Sequence, residues 1–399
     1  MTSVRVSARV SGFSYAIRNI VTEAKKLEAA GRKVRYLNIG DPIQFGYKTP
    51  EHLIAAVEKA MRDGHNGYVP SAGIEPARRA VANEWSQRGM TVTPDRVVFT
   101  SGTSEGIELA LSALVDTGDE VLVPTPTYPL YTAVLAKIGA KAVYYRTDPD
   151  NHWLPDINDI KRQVTSATRV LVVIDPNNPT GAVYPEATRR ALISLAESVG
   201  IPILADEVYS DVAFDRPTAL LGSLDPDAPI ISFSSLSKAY LAPGWRTGWL
   251  VVGRSERLDD ALAAIKKMAD GRLCSPAPMQ YAVEAALTGD RTHQREFARG
   301  LAERGAITTR RLNAMPGMRC VAPQAAFYAM PQVTLPAGKT DEDFVLGLLK
   351  KTGILCVYGS GFGMPATSGF FRIVFLAPPA DLEVIYDEMA EFTAGFLSQ

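Results

Sequence analysis

Short apolar runs, each closed by a polar turn and separated by stretches with helical spacing, dominate the chain up to about residue 290. The runs at 96–100, 120–123, 142–145, 170–174, 201–205, 230–233 and 248–252 are apolar at consecutive rather than alternate positions. A strand of that kind is buried on both faces, as in a parallel sheet covered by helices. Apolar residues recurring every three or four positions predict those helices near 50–63, 74–88, 103–114, 128–138 and 186–199. Ile17, Ile20, Val21, Ala24 and Leu27 mark another over 14–30, ended by Gly31 and followed by a short strand at 34–39. The expectation is an α/β fold, a mostly parallel sheet with helices on both faces.

Past residue 290 the pattern changes. A long charged helix is expected over 291–314 and short strands near 318–321 and 326–330. A helix at 341–350, strands at 354–357 and 371–376 and a last helix from 380 follow. Strands and helices mixed in this way predict a smaller α+β domain. A chain of 399 residues exceeds one ordinary core. A large domain over 49–290 and a small one over 291–399 are therefore expected.

Composition excludes more than it suggests. With 42 basic and 43 acidic residues, bulk charge gives no reason to expect nucleic acid as a partner. No run approaches the ~20 apolar residues of a membrane-spanning helix, and positions 1–10 lack the apolar stretch of a secretory signal. Cys274, Cys320 and Cys356 lie far apart, and His52, His65, His152 and His293 have no metal-ligand spacing. The expectations are no metal, no membrane and a reducing, cytoplasmic setting.

In such sheets ligands bind beyond the carboxyl ends of the strands. Gly102-Thr103-Ser104, Asn178, Asp206, Tyr209 and Lys238 each follow an apolar run there. Singly, each has a plain account: a helix cap, a turn residue between prolines, packing. Together they converge on one edge. Lys238 stands among small residues just past the run at 230–233, where lost hydration lowers an ammonium pKa and frees the amine to attack a carbonyl. The hydroxyls of Ser235 and Ser237, with Arg246, suit a phosphate. So does the start of a helix at Gly102. Lysine beside a phosphate site is the requirement of a pyridoxal phosphate enzyme. Gly359-Ser360-Gly361-Phe362-Gly363 lacks a nucleotide-loop spacing and reads as a plain turn or a flexible loop at the site.

Asn177-Asn178-Pro179-Thr180-Gly181, Asp206-Glu207-Val208-Tyr209, Ser235-Leu236-Ser237-Lys238, Pro243-Gly244-Trp245-Arg246 and Phe371-Arg372 follow in that order. In this arrangement the chain closely resembles the class I/II aminotransferases of pyridoxal phosphate fold type I, from about Tyr15 to the C-terminus. Tyr15-Ala16-Ile17-Arg18, Leu37-Asn38-Ile39-Gly40-Asp41-Pro42 and Gly64-His65-Asn66-Gly67-Tyr68 resemble the alanine aminotransferase-like branch.

The resemblance implies a role for each residue. Lys238 would carry the Schiff base, Asp206 face the pyridine nitrogen, and Asn178 and Tyr209 bond the ring hydroxyl. Tyr128 would stack on the ring, while Gly102, Thr103, Ser104, Ser235, Ser237 and Arg246 surround the phosphate. Tyr68 would reach the neighbouring subunit's phosphate, which implies a homodimer. Gly40, Asn178 and Arg372 would hold the α-carboxylate. The segment 1–48 would pack with the small domain.

These residue types suit the chemistry. A carboxylate at ~4 Å favours a pyridinium by about 4 kcal/mol at an effective dielectric near 20. An arginine fork matches a planar carboxylate as a lysine cannot. The expected reaction transfers an amino group between an L-amino acid, alanine by the branch resemblance, and 2-oxoglutarate, by a ping-pong mechanism. Aspartate, aromatic or branched donors, or a lyase on the same fold, stay open. Arg18 with Tyr15 beside it, or else Arg272, is the candidate for a distal carboxylate.

Overall fold

A computed structural model describes residues 4–7 and 16–398, with side chains described from residue 20 onward in the longer segment. Its centre is an eight-stranded sheet. The order is Val97–Ser101, Thr247–Val252, Ile230–Ser235, Ile203–Asp206, Thr168–Ile174, Glu120–Thr125, Lys141–Asp148, Leu154–Pro155. From Ile230–Ser235 across to Lys141–Asp148 the pairing is parallel. Thr247–Val252 runs against both of its neighbours, and Leu154–Pro155 closes the far edge antiparallel. The mostly parallel α/β sheet expected from the apolar runs is borne out.

Burial on both faces explains those runs. Val98, Val123, Val172, Leu204 and Ile231 pack on one face with Ile107 and Ile265 of the helices Thr103–Leu114 and Asp259–Asp270. Of the alternate positions, Val97 and Val251 pack with Val81 and Trp85 of Glu75–Gln87. Leu122, Leu171 and Ile203 pack with Leu192 of Glu186–Val199. From Val97–Ser101 across to Glu120–Thr125 nearly every strand position is thus claimed by a helix layer, and period-two polarity has no place there. Lys141–Asp148, nearer the edge, departs from this, with Lys141, Tyr144 and Arg146 exposed. Among the described residues no helix is long and apolar enough to cross a membrane.

The later strands are shorter than expected. The segment 34–39 pairs only over Arg35–Tyr36, parallel with Ile354–Leu355. The stretch 354–357 is two pieces, because at Cys356 the chain passes from one partner to another. Val357–Tyr358 pairs antiparallel with Phe371–Val374, which also takes Tyr328–Ala329. The helices Ala16–Ala29, Glu51–Arg62, Thr292–Asn313, Asp341–Thr352 and Pro379–Leu397 lie within two residues of their expected places. The helices Asp259–Asp270, Ala277–Gln280 and Ala282–Thr288 have no counterpart in the sequence reading.

One topological detail sets up the site. Because Thr247–Val252 is antiparallel, its amino end lies at the edge where its neighbours finish. Ser101 is paired with Thr247, Ser235 with Gly248, and Ile174 with Asp206. Turns from distant parts of the chain thereby meet at one edge.

Candidate active site

A cavity of about 700 Å³ opens at that edge. Its wall carries Gly40, Thr103, Ser104, Tyr128, Asn178, Asp206, Tyr209, Ser235, Ser237, Lys238, Arg246 and Arg372. All were singled out from the sequence.

Lys238 follows the strand Ile230–Ser235, and its Nζ donates to the carbonyl of Gly40 at 2.7 Å. The ammonium lies 5.6 Å from the centroid of the Phe327 ring. Desolvation holds its pKa down at about 8. Asp41 opposes that shift, and Arg372 and Arg246 add to it.

Asp206 ends the strand Ile203–Asp206 and is 6% exposed. Its carboxylate accepts from the Tyr131 hydroxyl at 3.2 Å and the Val208 N–H at 3.4 Å. Among the described residues no cationic side chain pairs with it, and burial lifts its pKa to about 6. A buried acid without a cation is an incomplete arrangement, and it faces the cavity. Tyr209 shares a hydrogen bond of 2.8 Å with Tyr328 through their hydroxyls, and burial pushes its pKa up. Neither Tyr131 nor Tyr328 was singled out from the sequence. Tyr131 stands three residues past Tyr128, one turn along the helix Pro129–Ile138, so spacing could have found it. Glu207 has a structural place instead: it accepts from the Leu221 N–H at 2.6 Å and from the Ser232 hydroxyl.

The anion end is built largely of backbone. Gly102 has φ 73° and ψ 166°, a region open essentially to glycine. It releases the chain into Thr103–Leu114, whose first N–H groups lack intrahelical partners. Arg246, at the head of the antiparallel strand, donates to the carbonyls of Ser101 at 3.1 Å and Pro243 at 3.0 Å. A Cβ at Gly248 would come within 2.6 Å of the Gly102–Thr103 backbone, so glycine permits this close approach. The Ser235 hydroxyl accepts from the Ser237 N–H at 3.2 Å.

Arg372 lies in the strand Phe371–Val374 and is 2% exposed. Its guanidinium sits 4.7 Å from the Tyr328 centroid and 4.8 Å from that of Phe362. Nη1 donates to Asn178 Oδ1 at 3.1 Å and Nη2 to the Asn38 carbonyl at 2.5 Å. Asn177 turns inward and accepts from the N–H and hydroxyl of Thr180, leaving Asn178 to the cavity. The stretch 359–363 is a turn, as expected, and not a loose loop. It forms a 3-10 turn, with Phe362 1% exposed and the Ser360 N–H donating to Asp341 at 2.6 Å.

Other expected residues are not brought to the cavity. Tyr68 is 85% exposed and does not line it. Arg272 donates to the carbonyls of Ser71 at 2.9 Å and Phe99 at 2.6 Å and pairs with Glu105 at 3.1 Å. It is therefore a structural cross-link and no candidate for a distal carboxylate. Tyr15 and the side chain of Arg18 lie outside the described residues. The helix Ala16–Ala29 does line the cavity, through Val21, Thr22 and Lys25, and Gln44 joins them. None of these four was expected at the site from the sequence.

Pyridoxal phosphate fits this donor set. Asp206 lacks the cation that a protonated ring nitrogen would supply. The glycine-lined cradle at Gly102 and Gly248, with Arg246 beside it, has room and charge for a phosphate. Lys238 is an amine of lowered pKa on the wall of the same cavity.

Comparison with known proteins gives concordant results. The family model for aminotransferase class I and II matches residues 32–388. The glutamate-pyruvate aminotransferase AlaA of Escherichia coli is 35% identical over 99% of each chain. The alanine aminotransferase of Mycobacterium tuberculosis is 36% identical over 98% of this chain and 92% of its own. The solved alanine aminotransferase of Pyrococcus furiosus superposes with a TM-score of 0.95 at 39% identity, over 98% of this chain and all of the other.

Proposed function

We propose, from the premise that this chain belongs to the class I and II aminotransferases, that it moves an amino group between L-alanine and 2-oxoglutarate. The family uses pyridoxal phosphate and works by ping-pong transfer: one 2-oxo acid leaves before the other enters. Bound pyridoxal phosphate supplies an aldehyde that holds the amino group and a ring that accepts electrons when the substrate Cα–H bond breaks.

This chain's residues do the rest. Lys238 Nζ is the amine that would hold the cofactor's aldehyde, and as a free amine it would take the substrate's Cα proton, a general-base role that its lowered pKa favours. Asp206 would keep the ring nitrogen protonated, and the Tyr131 hydroxyl holds the carboxylate in place. Asn178 and Tyr209 would donate to the ring hydroxyl, and Tyr128 would cover the ring. Gly102, Thr103, Ser104, Ser235, Ser237 and Arg246 would hold the phosphate. Arg372, flattened between Tyr328 and Phe362, presents its fork to the α-carboxylate beside Gly40 and Asn178.

The observation that carries this reading is that Lys238, Asp206 and Arg372, from three separate segments of the chain, open onto one cavity. The relatives' names support alanine and glutamate as its amino acids. Incubation with L-alanine and 2-oxoglutarate tests it: equal amounts of pyruvate and glutamate are expected. Ammonia released without glutamate would make the protein a lyase instead.

The same reading makes the protein a homodimer in which Tyr68 reaches the partner's phosphate. Its exposure supports this, as do exposed Ile54 and Met61 two turns apart on the helix Glu51–Arg62. Residues 49–290 form the cofactor-holding domain and 291–399 the small one, with 1–48 joining the latter. The pairing of Arg35–Tyr36 with Ile354–Leu355 supports that division. Three unpaired cysteines support a reducing, cytoplasmic setting.

A further inference from the structure

The described cations on the cavity wall are Lys25, Lys238, Arg246 and Arg372. The proposed function uses three of them: one for the cofactor aldehyde, one for its phosphate, one for the substrate's α-carboxylate. Glutamate and 2-oxoglutarate carry a second carboxylate, and it needs a counter-charge that alanine and pyruvate do not. We propose that Lys25 supplies it, as the residue that admits the dicarboxylate half of the substrate pair. The proposal rests on the aminotransferase reading and adds to it a specificity residue.

Position and partnering both support Lys25. Val21, Thr22 and Lys25 occupy one face of the helix Ala16–Ala29, and all three line the cavity. The adjacent Lys26 faces elsewhere and is held by Glu23 at 2.7 Å. Lys25 makes no ion pair or hydrogen bond among the described residues, so its charge is not already spent. Asp41, the other carboxylate on this wall besides Asp206, is engaged by the Ile43 N–H and the Gln44 amide, both at 3.1 Å. Lys25 is exposed at the rim, whereas Arg272 is consumed by Glu105 and two carbonyls, and the side chain of Arg18 lies outside the described residues. A flexible ammonium at a rim suits a site that must accept a five-carbon diacid in one half-reaction and alanine in the other.

Three variants, Lys25→Gln, Lys25→Glu and Lys25→Arg, test this in the holoenzyme. Two readouts are needed. The first is the single-turnover rate with glutamate alone and with alanine alone, followed by the cofactor's absorbance. The second is the calorimetric affinity for glutarate, which has both carboxylates and nothing to react. An exposed ion pair contributes up to about 1 kcal/mol, or roughly fivefold. Lys25→Gln is therefore expected to lower the glutamate-to-alanine rate ratio about fivefold and to weaken glutarate by a similar factor. Lys25→Glu should deepen both losses, Lys25→Arg restore them, and added salt shrink the wild-type preference. An unchanged ratio, or equal losses for glutamate and alanine, would overturn the assignment while leaving the aminotransferase reading intact. Wild-type protein that reacts with neither amino acid would overturn that reading, and this proposal with it.

Discussion

Lys238 Nζ donates to the Gly40 carbonyl at 2.7 Å across 198 positions of sequence. The contact ties the amine to the Gly40 turn on the wall of the same cavity. Desolvation keeps the pKa of this amine at about 8, against an ordinary 10.5. The neutral, nucleophilic form therefore appears from about pH 8 rather than near the 10.5 of an exposed lysine. Cofactor uptake by cofactor-free protein should accelerate with pH and level off above about 8. Following uptake by absorbance from pH 6.5 to 10.5 checks this. A rate still climbing at pH 10 would mean that the amine is solvated. Lys238→Ala should load no cofactor that borohydride can fix.

The same shift has a stability consequence of known sign. Between about 8 and 10.5 the unfolded lysine binds a proton that the folded one does not. Stability of the cofactor-free protein should therefore rise with pH through that window.

Asp206 pulls in the other direction. Its folded pKa is about 6 against an ordinary 3.8, so the folded state binds the proton more tightly. Stability of the cofactor-free protein falls as pH rises from about 4 to 6, and the deficit, roughly 3 kcal/mol, persists at neutral pH. Asp206→Asn should raise the thermal midpoint of the cofactor-free protein at pH 7.5. The same change should remove most of the turnover, because an amide cannot hold the ring nitrogen protonated. A midpoint that drops together with activity would mean that the carboxylate is a packing element only.

How much of this was legible follows from what each residue does. The parallel sheet was readable because double-sided burial makes its strands continuously apolar. Lys238, Asp206 and Asn178 were readable because each breaks such a run at its carboxyl end. Tyr328 was not: it lies in a two-residue strand among apolar neighbours, and only folding sets its hydroxyl on Tyr209 and its ring on Arg372. Lys25 was hidden for the opposite reason, since a lysine on an amphipathic helix looks like any solvated one. The helices between 254 and 290 went unread although Leu262, Ile265 and Ala269 recur at helical spacing and are buried. Arg272 shows the limit of charge reading, because a lone arginine near a site gave no sign that Glu105 and two carbonyls engage it.

Arg372 offers a test of geometry against charge. Arg372→Lys keeps the cation but loses the fork held flat by Tyr328 and Phe362. A charge-assisted hydrogen bond contributes about 1.5–3 kcal/mol, so kcat/KM should fall roughly 10- to 150-fold for every amino acid tried. Phe362→Leu, which removes one of the two rings beside the guanidinium and leaves the Tyr209–Tyr328 hydrogen bond intact, should act mainly on KM and by less. A substrate-selective loss in Arg372→Lys would place the arginine at the side chain rather than the α-carboxylate.

Gly102 tests the anion cradle. Its φ of 73° with ψ 166° excludes a side chain, and a Cβ there would meet the Arg246 guanidinium. Strain of about 1–3 kcal/mol is expected from Gly102→Ala, and relieving it must move the arginine or the helix start. Cofactor affinity, measured by titration, should weaken at least fivefold, with a smaller effect on the rate of fully loaded enzyme. Unchanged affinity would place the phosphate elsewhere.

The last prediction concerns Tyr68, whose side chain is 85% exposed on the single chain and absent from its cavity. An aromatic left in solvent, with Ile54 and Met61 of the helix Glu51–Arg62 also exposed, fits an interface residue. In a two-fold dimer each chain lends the same residue to the other, which makes the role testable by complementation. Two differently tagged variants, Tyr68→Ala and Lys238→Ala, are coexpressed and the hybrid dimer is purified through both tags. In the hybrid, the Lys238-bearing chain receives Tyr68 from its partner, so one site is whole and the other lacks both groups. At limiting cofactor the hybrid should show about half the wild-type activity, while each homodimer shows little. If Tyr68 served its own chain, both sites of the hybrid would be defective, and its activity would not exceed the mean of the two parents.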